Sequence, residues 1–251
     1  MKPILYAAID LLGGRVVRLQ QGERRSAKVY SEDPARQAKD LVASGARALH
    51  VVDLDAAFGE QRQSAALVEI VNAVKPVPVQ LGGGIRTLAQ AGSALDAGAA
   101  RVVLGTAAVE RPELAGEAVR TFGADRVAAG IDVKDGKAAT RGWTEARGPG
   151  ASELASRLAR EGVQWFVVTA IARDGMLQGL DLQLLREIAA AAPAAAIIAS
   201  GGAGSLADLK GLAMSGLSRL AGAIAGTALY ENRFSAREAQ AALELSAERA
   251  C

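Results

Sequence analysis

The chain has 251 residues, half of them hydrophobic, and a formal net charge of +2. This composition supplies a substantial core and excludes an intrinsically disordered chain. Basic residues are interspersed with acidic ones, so charge gives no support to nucleic-acid binding.

Cysteine usage and the apolar segments indicate the compartment. The single cysteine, Cys251, excludes an internal disulfide and a zinc site built on cysteines, and it fits a reducing environment. Residues 1–10 lack the long apolar region and cleavage signal of a secretory peptide. The most apolar later stretch, 188–202, is interrupted by Pro193, which argues against a membrane span. We therefore expect a cytoplasmic protein.

Short apolar runs recur along the chain and alternate with segments that carry helix signals. Their apolar residues are continuous, which is typical of parallel strands covered on both faces. The eight predicted strands are 4–10, 48–55, 77–83, 101–105, 126–132, 165–171, 195–201 and 219–226.

The segments between these runs begin with residues that favour helix starts. Ser, Thr and Asp cap a first turn, and Pro fits the first helical position. The predicted helices are 33–43, 87–97, 112–121, 152–161, 181–191 and 205–215, begun by Asp33, Thr87, Arg111-Pro112, Ser152, Asp181 and Ser205. Residues just past the helix ends are glycines, as a left-handed position requires: Gly45, Gly98, Gly162 and Gly216.

Eight β-α units in roughly 250 residues predict one α/β domain, 1–251, folded as a (β/α)8 TIM barrel. A doubly wound open sheet is the alternative. It usually has fewer strands and offers one nucleotide loop after its first strand, so the barrel is favoured.

The sequence also repeats itself. Residues 43–59 parallel 160–176, and 77–98 parallel 195–216, while AAID at 7–10 parallels AGID at 129–132. The simplest interpretation is a duplicated half-barrel, with halves of about 1–122 and 123–251. Asp10 and Asp132 would then end the first and fifth strands, which face each other at the rim where barrel enzymes do their chemistry.

Glycine-rich turns follow two pairs of equivalent strands. The turns at 81–86 and 199–204 each precede a helix, and those beginning with Gly105-Thr106 and Gly226-Thr227 do so one unit later. Small residues let backbone N–H groups approach an anion at a helix N-terminus. The repetition predicts two phosphate sites on opposite sides of the barrel mouth, and hence a bisphosphorylated small-molecule substrate.

The paired aspartates predict acid–base chemistry between those sites. Asp10 and Asp132 flank the centre of the mouth, and Asp174 follows the sixth strand. Carboxylates in a partly desolvated cleft can hold different protonation states and act as base and acid. A single aspartate at a strand end is more often a structural cap, and for Asp53 support of the neighbouring loop is at least as likely as a role in catalysis.

Two long segments follow the strands that carry the paired aspartates. Residues 11–33 are rich in Arg, and 134–148 contain Arg141 and Trp143. As long loops, these segments suit a closing lid over an anionic, planar substrate. His50, the single histidine, is expected in the core or behind the site rather than on a metal.

Taken together, these stretches resemble the phosphoribosylformimino-aminoimidazole-carboxamide ribotide isomerases of histidine biosynthesis. The resemblance covers about 4–243 and is carried by the motifs AAIDLLGGRVVRLQQGE, HVVDLDAAFG, VQLGGGIR, GTAAVERP, RGW at 141–143 and TAIARDG. It implies a (β/α)8 barrel that catalyses an Amadori rearrangement of an aminoaldose to an aminoketose, without a metal or an organic cofactor.

The resemblance also implies roles for individual residues. Asp10 would remove the C2 proton, Asp132 or Asp174 would donate a proton, and Thr169 would lie near the reacting carbons. The predicted substrate-binding residues are Arg18, Gly83, Gly84, Arg86, Gly105, Thr106, Arg141, Trp143, Gly175, Gly201, Gly202, Gly226 and Thr227. We expect no nucleic-acid or membrane partner, and a monomer.

Three alternatives remain at this point. The cyclase (lyase) subunit of imidazole glycerol phosphate synthase resembles this chain at IIASGGAG, but it has a lysine in place of Arg18 and lacks the RGW turn. Some relatives also isomerise phosphoribosylanthranilate, but they typically have Ser where this chain has Gly82. A non-catalytic phosphate-binding barrel would not need the paired aspartates.

Overall fold

The computed structural model describes residues 2–140, 143 and 148–244. Arg141, one of the predicted substrate-binding residues, lies outside the described residues. The strands within them are β1 Ile4–Leu12, β2 Arg15–Gln20, β3 Glu23–Ser31, β4 Ala48–Asp53, β5 Val79–Gly82, β6 Arg101–Leu104, β7 Val127–Lys134, β8 Lys137–Ala138, β9 Trp165–Ala170, β10 Ala196–Ser200 and β11 Leu220–Ala225.

Eight of these strands form a closed parallel barrel. Their order around it is β1, β4, β5, β6, β7, β9, β10 and β11, and β11 then pairs with β1 from Ile4↔Gly222 to Ala7↔Ala225. Each predicted strand corresponds to one strand of this barrel, which confirms the predicted fold. Because β1 and β7 are the first and fifth strands, their C-terminal ends lie across the mouth from each other.

Helices cover the outside of the barrel. Their bounds are α1 Pro34–Ala43, α2 Leu54–Ala57, α3 Ser64–Val74, α4 Leu88–Asp96, α5 Thr106–Glu110, α6 Pro112–Phe122, α7 Ala151–Arg160, α8 Leu182–Ala191, α9 Leu206–Ala213, α10 Thr227–Tyr230 and α11 Ala236–Glu244. Among the described residues, no helix is long and apolar enough to span a bilayer.

Most predicted helix starts are confirmed. The side chains of Asp33, Thr87, Asp181 and Ser205 each accept a hydrogen bond from a backbone N–H in the first helical turn. The prediction for Ser152 is wrong, because α7 begins at Ala151 after Gly150, which has no side chain to form a cap. The predictions did not include α3.

Most of the buried hydrophobic residues form two layers separated by the barrel wall, and a small third cluster of Leu12, Val17 and Leu19 lies at the hairpin of β2 and β3. The larger layer lies between strands and helices, and it contains fully buried side chains such as Leu49, Ile131 and Phe166. The smaller one fills the barrel interior with residues that include Tyr6, Val103, Val167, Ile198 and Ile224. The apolar strands are therefore buried on both faces, as their continuous pattern indicates.

The segment after β1 is a β-hairpin rather than the predicted long loop. Strands β2 and β3 pair in antiparallel fashion, and β2 also pairs with the end of β1. Both residues of the connecting turn have positive φ, 50° at Gln21 and 75° at Gly22. This is the geometry of a two-residue type I′ turn, whose twist matches that of the paired strands. The hairpin gives this covering segment a defined framework.

The last helix fastens the start of the first strand. Gln240 on α11 is buried; its Oε1 accepts from Leu5 N at 2.8 Å, and its Nε2 donates to Pro3 O at 3.0 Å. Glu244 on the same helix pairs with Arg47 at 2.6 Å. These contacts join residues more than 190 positions apart and secure the place where the barrel closes.

Candidate active site

A cavity of about 200 Å³ opens at the C-terminal ends of the barrel strands. Every predicted site residue that the structure describes lines this cavity: Asp10, Arg18, Gly83, Gly84, Arg86, Gly105, Thr106, Asp132, Trp143, Thr169, Asp174, Gly175, Gly201, Gly202, Gly226 and Thr227. The barrel thus brings together residues that are spread over more than 200 positions.

Asp10, at the end of β1, forms an ion pair with Arg18 on the hairpin. Arg18 Nη1 lies 2.7 Å from Asp10 Oδ2, and both side chains are largely buried. Burial raises the pKa of Asp10, while the Arg18 cation opposes that rise. The Arg18 guanidinium also lies against Gly226, where a Cβ atom would come within 2.4 Å of Arg18 Cζ. Only glycine at position 226 leaves room for this arrangement.

Asp132, across the mouth at the end of β7, accepts hydrogen bonds instead of pairing with a cation. Trp143 Nε1 donates to Asp132 Oδ2 at 2.8 Å, and the Thr169 hydroxyl donates from the neighbouring strand β9. Burial raises the pKa of Asp132, and these two hydrogen bonds oppose the rise because they stabilise the ionised form. The two facing carboxylates therefore have different surroundings.

Asp174 lies in the loop after β9, near both of the other carboxylates. Burial raises the pKa of Asp174 to about 6; the Arg18 cation opposes the rise, and the negative charges of Asp10 and Asp132 add to it. A carboxyl group with such a pKa holds its proton at pH values where an exposed aspartate is fully ionised.

The glycine turn at 81–86, in the first half of the chain, lies close to the backbone of a neighbouring loop. Gly83 has φ +93°, and a Cβ atom there would lie 2.2 Å from Asp53 O. The carbonyl of Gly83 accepts from Arg62 Nη2 at 3.0 Å. Arg86 reaches the cavity but also donates to the carbonyls of Ala56 and Ala57, both at 3.1 Å. Arg62, which the sequence reasoning missed, therefore helps to orient this turn.

The equivalent turn at 199–204 has matching geometry, and so do the turns that begin with Gly105 and Gly226. Gly201 and Gly202 have φ of +84° and +102°, and a Cβ atom on Gly201 would lie 2.7 Å from Ala170 O. Gly105 and Gly226 precede the short helices α5 and α10 with similar dihedrals, φ −89° and ψ −102° against φ −123° and ψ −90°. The backbone thus repeats across the mouth, as the paired glycine motifs predict.

Asp53 supports a loop, as expected. It accepts from the N–H groups of Ala56 at 3.0 Å and Gln63 at 2.9 Å. Its carboxylate does not line the cavity.

The hairpin lies over the mouth and contacts the rim on several sides. At its tip, Gln21 N donates to Asp174 O at 3.3 Å, and Gly22 packs against the Trp143 indole. Arg24 pairs with Glu60, and the ring of Tyr30 packs against that of Tyr230 in a tilted arrangement, with ring centroids 4.8 Å apart. Gly22 was missed as a site residue, although a glycine at the second position of a type I′ turn, where φ must be positive, is a signal that could have revealed the hairpin.

His50, which we expect in the core or behind the site, lines the cavity. Its ring is buried, and Nδ1 lies 2.9 Å from Gln80 Nε2. No group of three or more His, Cys, Asp or Glu side chains within the described part of the chain could hold a metal ion.

Comparison with known proteins agrees with this arrangement. A family model described as histidine biosynthesis protein matches residues 4–235. A relative from Rhodopseudomonas palustris (strain BisB18) is 47% identical over 97% of this chain and 99% of its own length. Relatives from Mesorhizobium japonicum and Acidiphilium cryptum (strain JF-5) are 47% and 46% identical, over 96% and 95% of this chain and 97% and 96% of their own lengths.

All three relatives are named as isomerases of a 1-(5-phosphoribosyl)imidazole-4-carboxamide that carries a (5-phosphoribosylamino)methylideneamino group. The family model spans far more than half of the chain, and the relatives match it over nearly its full length. The chain belongs to the histidine biosynthesis protein family.

Proposed function

We propose that this chain catalyses the isomerisation for which its relatives are named, an Amadori rearrangement of an aminoaldose to an aminoketose. One observation carries the proposal: two buried carboxylates with different surroundings, Asp10 and Asp132, face each other between two pairs of glycine turns. This arrangement suits acid–base transfer at a carbon that is held between two phosphates.

Asp10 is the proposed base. The reaction opens the aminated ribose, removes a proton from C2 of the resulting imine, and returns a proton to C1 as the C2 hydroxyl becomes a carbonyl. Arg18 lies 2.7 Å from Asp10 and favours its ionised form, so the carboxylate can accept the C2 proton.

Ring opening first requires an acid that protonates the ring oxygen. We favour Asp174 for this step, since its pKa is raised to about 6 by burial. Asp132 accepts hydrogen bonds from Trp143 and Thr169, which stabilise its negative charge and suit it to orienting the substrate. Asp132 remains the alternative donor, as the family resemblance implies. Thr169 would lie near the reacting carbons and orient Asp132 through its hydrogen bond to that carboxylate.

The remaining site residues are proposed to bind the two ends of a bisphosphorylated substrate. One phosphate would lie at Gly83, Gly84, Gly105 and Thr106, with Arg86 beside them, and the other at Gly175, Gly201, Gly202, Gly226 and Thr227. Arg18, Arg141 and Trp143 would hold the imidazole-carboxamide end. We also propose that the enzyme is monomeric and cytoplasmic, and that its chain is one domain made of two duplicated half-barrels. It would use no cofactor and would bind neither nucleic acid nor a membrane.

The proposal is tested by assaying the purified chain on three substrates: the aminoaldose, the aminoketose with ammonia, and phosphoribosylanthranilate. We expect turnover of the aminoaldose alone. Ring closure of the aminoketose would identify a cyclase, and conversion of phosphoribosylanthranilate would identify an isomerase of broader specificity. Asp10→Asn should abolish turnover while it preserves folding and substrate binding; retained activity would refute the role of Asp10.

A further inference from the structure

The floor of the active-site cavity contains one side chain that differs from its neighbours. Inward-facing residues alternate along a strand, so the layer beneath the rim lies two residues before it. The residues of this layer that line the cavity are mostly without a polar side-chain group: Ala8, Val103, Gly130, Val167 and Ile224. The exception is His50, whose residue is only 9% exposed.

The position of His50 is fixed by the register of three strands. Ala8 on β1 and Gln80 on β5 are its partners on either side. Gly82 lies near the ring, because a Cβ atom at that position would be 3.8 Å from His50 Cε1. His50 therefore lies beside the strand that carries Asp10, one layer below the carboxylate.

The contact with Gln80 engages one nitrogen of the ring. The amide nitrogen of Gln80 lies 2.9 Å from His50 Nδ1, and with the amide in this orientation its N–H donates and Nδ1 accepts. In the neutral imidazole the proton then resides on Nε2. Within the described residues, no other hydrogen bond of His50 is found, and the residue lines the cavity. An oxygen atom of a ligand in the cavity can therefore accept a hydrogen bond from Nε2–H.

We infer that Gln80 holds His50 as the Nε2–H tautomer, and that this N–H donates a hydrogen bond from the cavity floor to an oxygen at the reacting end of the open-chain sugar. The inference rests on the proposed isomerase function and adds a substrate-contacting residue to it. The donor carries no charge, because burial, with the nearby Arg18 cation, lowers the pKa of His50 to about 4. A neutral N–H donor can polarise a developing carbonyl without transferring its own proton to the substrate.

The chain provides an unambiguous probe, since His50 is its single histidine. In the full chain labelled with 15N-histidine, NMR should show one protonated nitrogen, Nε2, and one unprotonated nitrogen, Nδ1, without change from pH 8 to pH 5.5. Adding the aminoketose product should shift the Nε2–H signal more than that of Nδ1. An Nδ1–H tautomer, protonation above pH 6, or an unchanged Nε2–H signal at saturating product would overturn the inference.

Kinetics test the function of the donor independently. His50→Phe and His50→Leu replace the imidazole with a planar and a branched apolar side chain that lack the N–H, so both should lower kcat by about 10- to 100-fold and change KM much less. Gln80→Met keeps the ring but removes the donor that selects the tautomer. It should give mixed tautomers by NMR and an intermediate loss of kcat, which a purely structural role for His50 would not produce.

These outcomes separate the inference from the proposed function. If the unaltered chain does not convert the aminoaldose, the proposed function fails, and the sugar contact fails with it. If the unaltered chain is active and a folded His50→Phe or His50→Leu variant keeps its kcat, the inference alone is wrong. If neither variant folds, Gln80→Met decides: mixed tautomers with full kcat would refute the inference.

Discussion

The guanidinium of Arg18 lies 2.7 Å from the carboxylate of Asp10 and also rests on the backbone of Gly226. One side chain of the hairpin therefore links the reactive end of β1 to a glycine turn after β11. The position of the proposed base depends on whether this turn stays free of a side chain.

Gly226→Ala should separate Arg18 from Asp10. The new Cβ would lie 2.4 Å from Arg18 Cζ, so the guanidinium has to move. Because Arg18 lowers the pKa of Asp10, its displacement should raise that pKa and shift the acid limb of the pH profile upward. We expect kcat/KM to fall by about 10- to 100-fold.

Gly105→Ala is the matched comparison for this change. It adds a methyl group to the equivalent turn, where no atom lies within 4 Å of the new Cβ. It measures the cost of a side chain in a proposed phosphate turn without moving Arg18. Equal losses in both variants, with no shift of the acid limb, would show that the ion pair does not govern Asp10.

Gly22→Ala should displace Trp143 from Asp132. A Cβ at Gly22 would lie 2.5 Å from Trp143 Cε3, and the indole that moves would lose its hydrogen bond to the carboxylate. We expect a changed tryptophan emission spectrum and about a 10-fold loss of kcat/KM.

Gly14→Ala controls for the strain of the turn. Gly14 and Gly22 both have φ +75° and both end a two-residue turn, but nothing lies within 4 Å of a Cβ at Gly14. Each variant should lose about 1 kcal/mol of stability, because alanine is strained at positive φ. Unchanged emission in Gly22→Ala, or the same spectral change in Gly14→Ala, would contradict the contact.

Asp174→Asn should alter the pH dependence of both activity and stability. The pKa of Asp174 is raised to about 6 in the folded state, so the folded protein binds this proton more tightly than the unfolded chain does. Ionisation of Asp174 therefore lowers stability as pH rises through about 6. The variant should be more stable than the parent at pH 7.5, and the difference should vanish below about pH 4.

Urea unfolding at several pH values measures this difference. In the activity profile, the limb that falls near pH 6 should disappear together with most of kcat, if Asp174 protonates the ring oxygen. A variant that keeps that limb would direct the assignment back to Asp132 as the acid.

Gln240→Leu should destabilise the closure of the barrel. The change leaves Leu5 N and Pro3 O without their side-chain partners in a buried position, at a cost of about 2–3 kcal/mol. Urea unfolding with a linear fit measures the loss. Gln183→Leu alters an exposed glutamine on α8 whose amide contacts Glu187, and it should change stability by less than about 0.5 kcal/mol. Comparable losses of stability in the two variants would show that the hydrogen bonds of Gln240 to Leu5 and Pro3 do not stabilise the closure of the barrel.

Local patterns predicted the barrel and much of the site. Apolar runs located all eight barrel strands, and the strand-end positions of Asp10 and Asp132 placed them across one cavity from each other. The helix α3 was missed because its N-cap residue, Gln63, forms no side-chain cap and offers no start signal.

Features that depend on register or packing could not be read locally. The pairing of His50 with Gln80 arises because β4 and β5 lie side by side, thirty residues apart in sequence. The hairpin was different: its turn dipeptides were visible, but a polar, Arg-rich segment gave too little apolar alternation to predict strands. The roles proposed for the site residues remain predictions.

The contact between Gln240 and the first strand has a consequence for synthesis on the ribosome. Leu5 is translated 235 residues before Gln240, which accepts its backbone N–H. Strand β11, which pairs with the other edge of β1, is also translated near the end of the chain. Throughout most of translation β1 can pair with β4 while its opposite edge stays open. Unpaired strand edges promote association with other chains, so the nascent protein is most exposed to misassembly before its final helix is made.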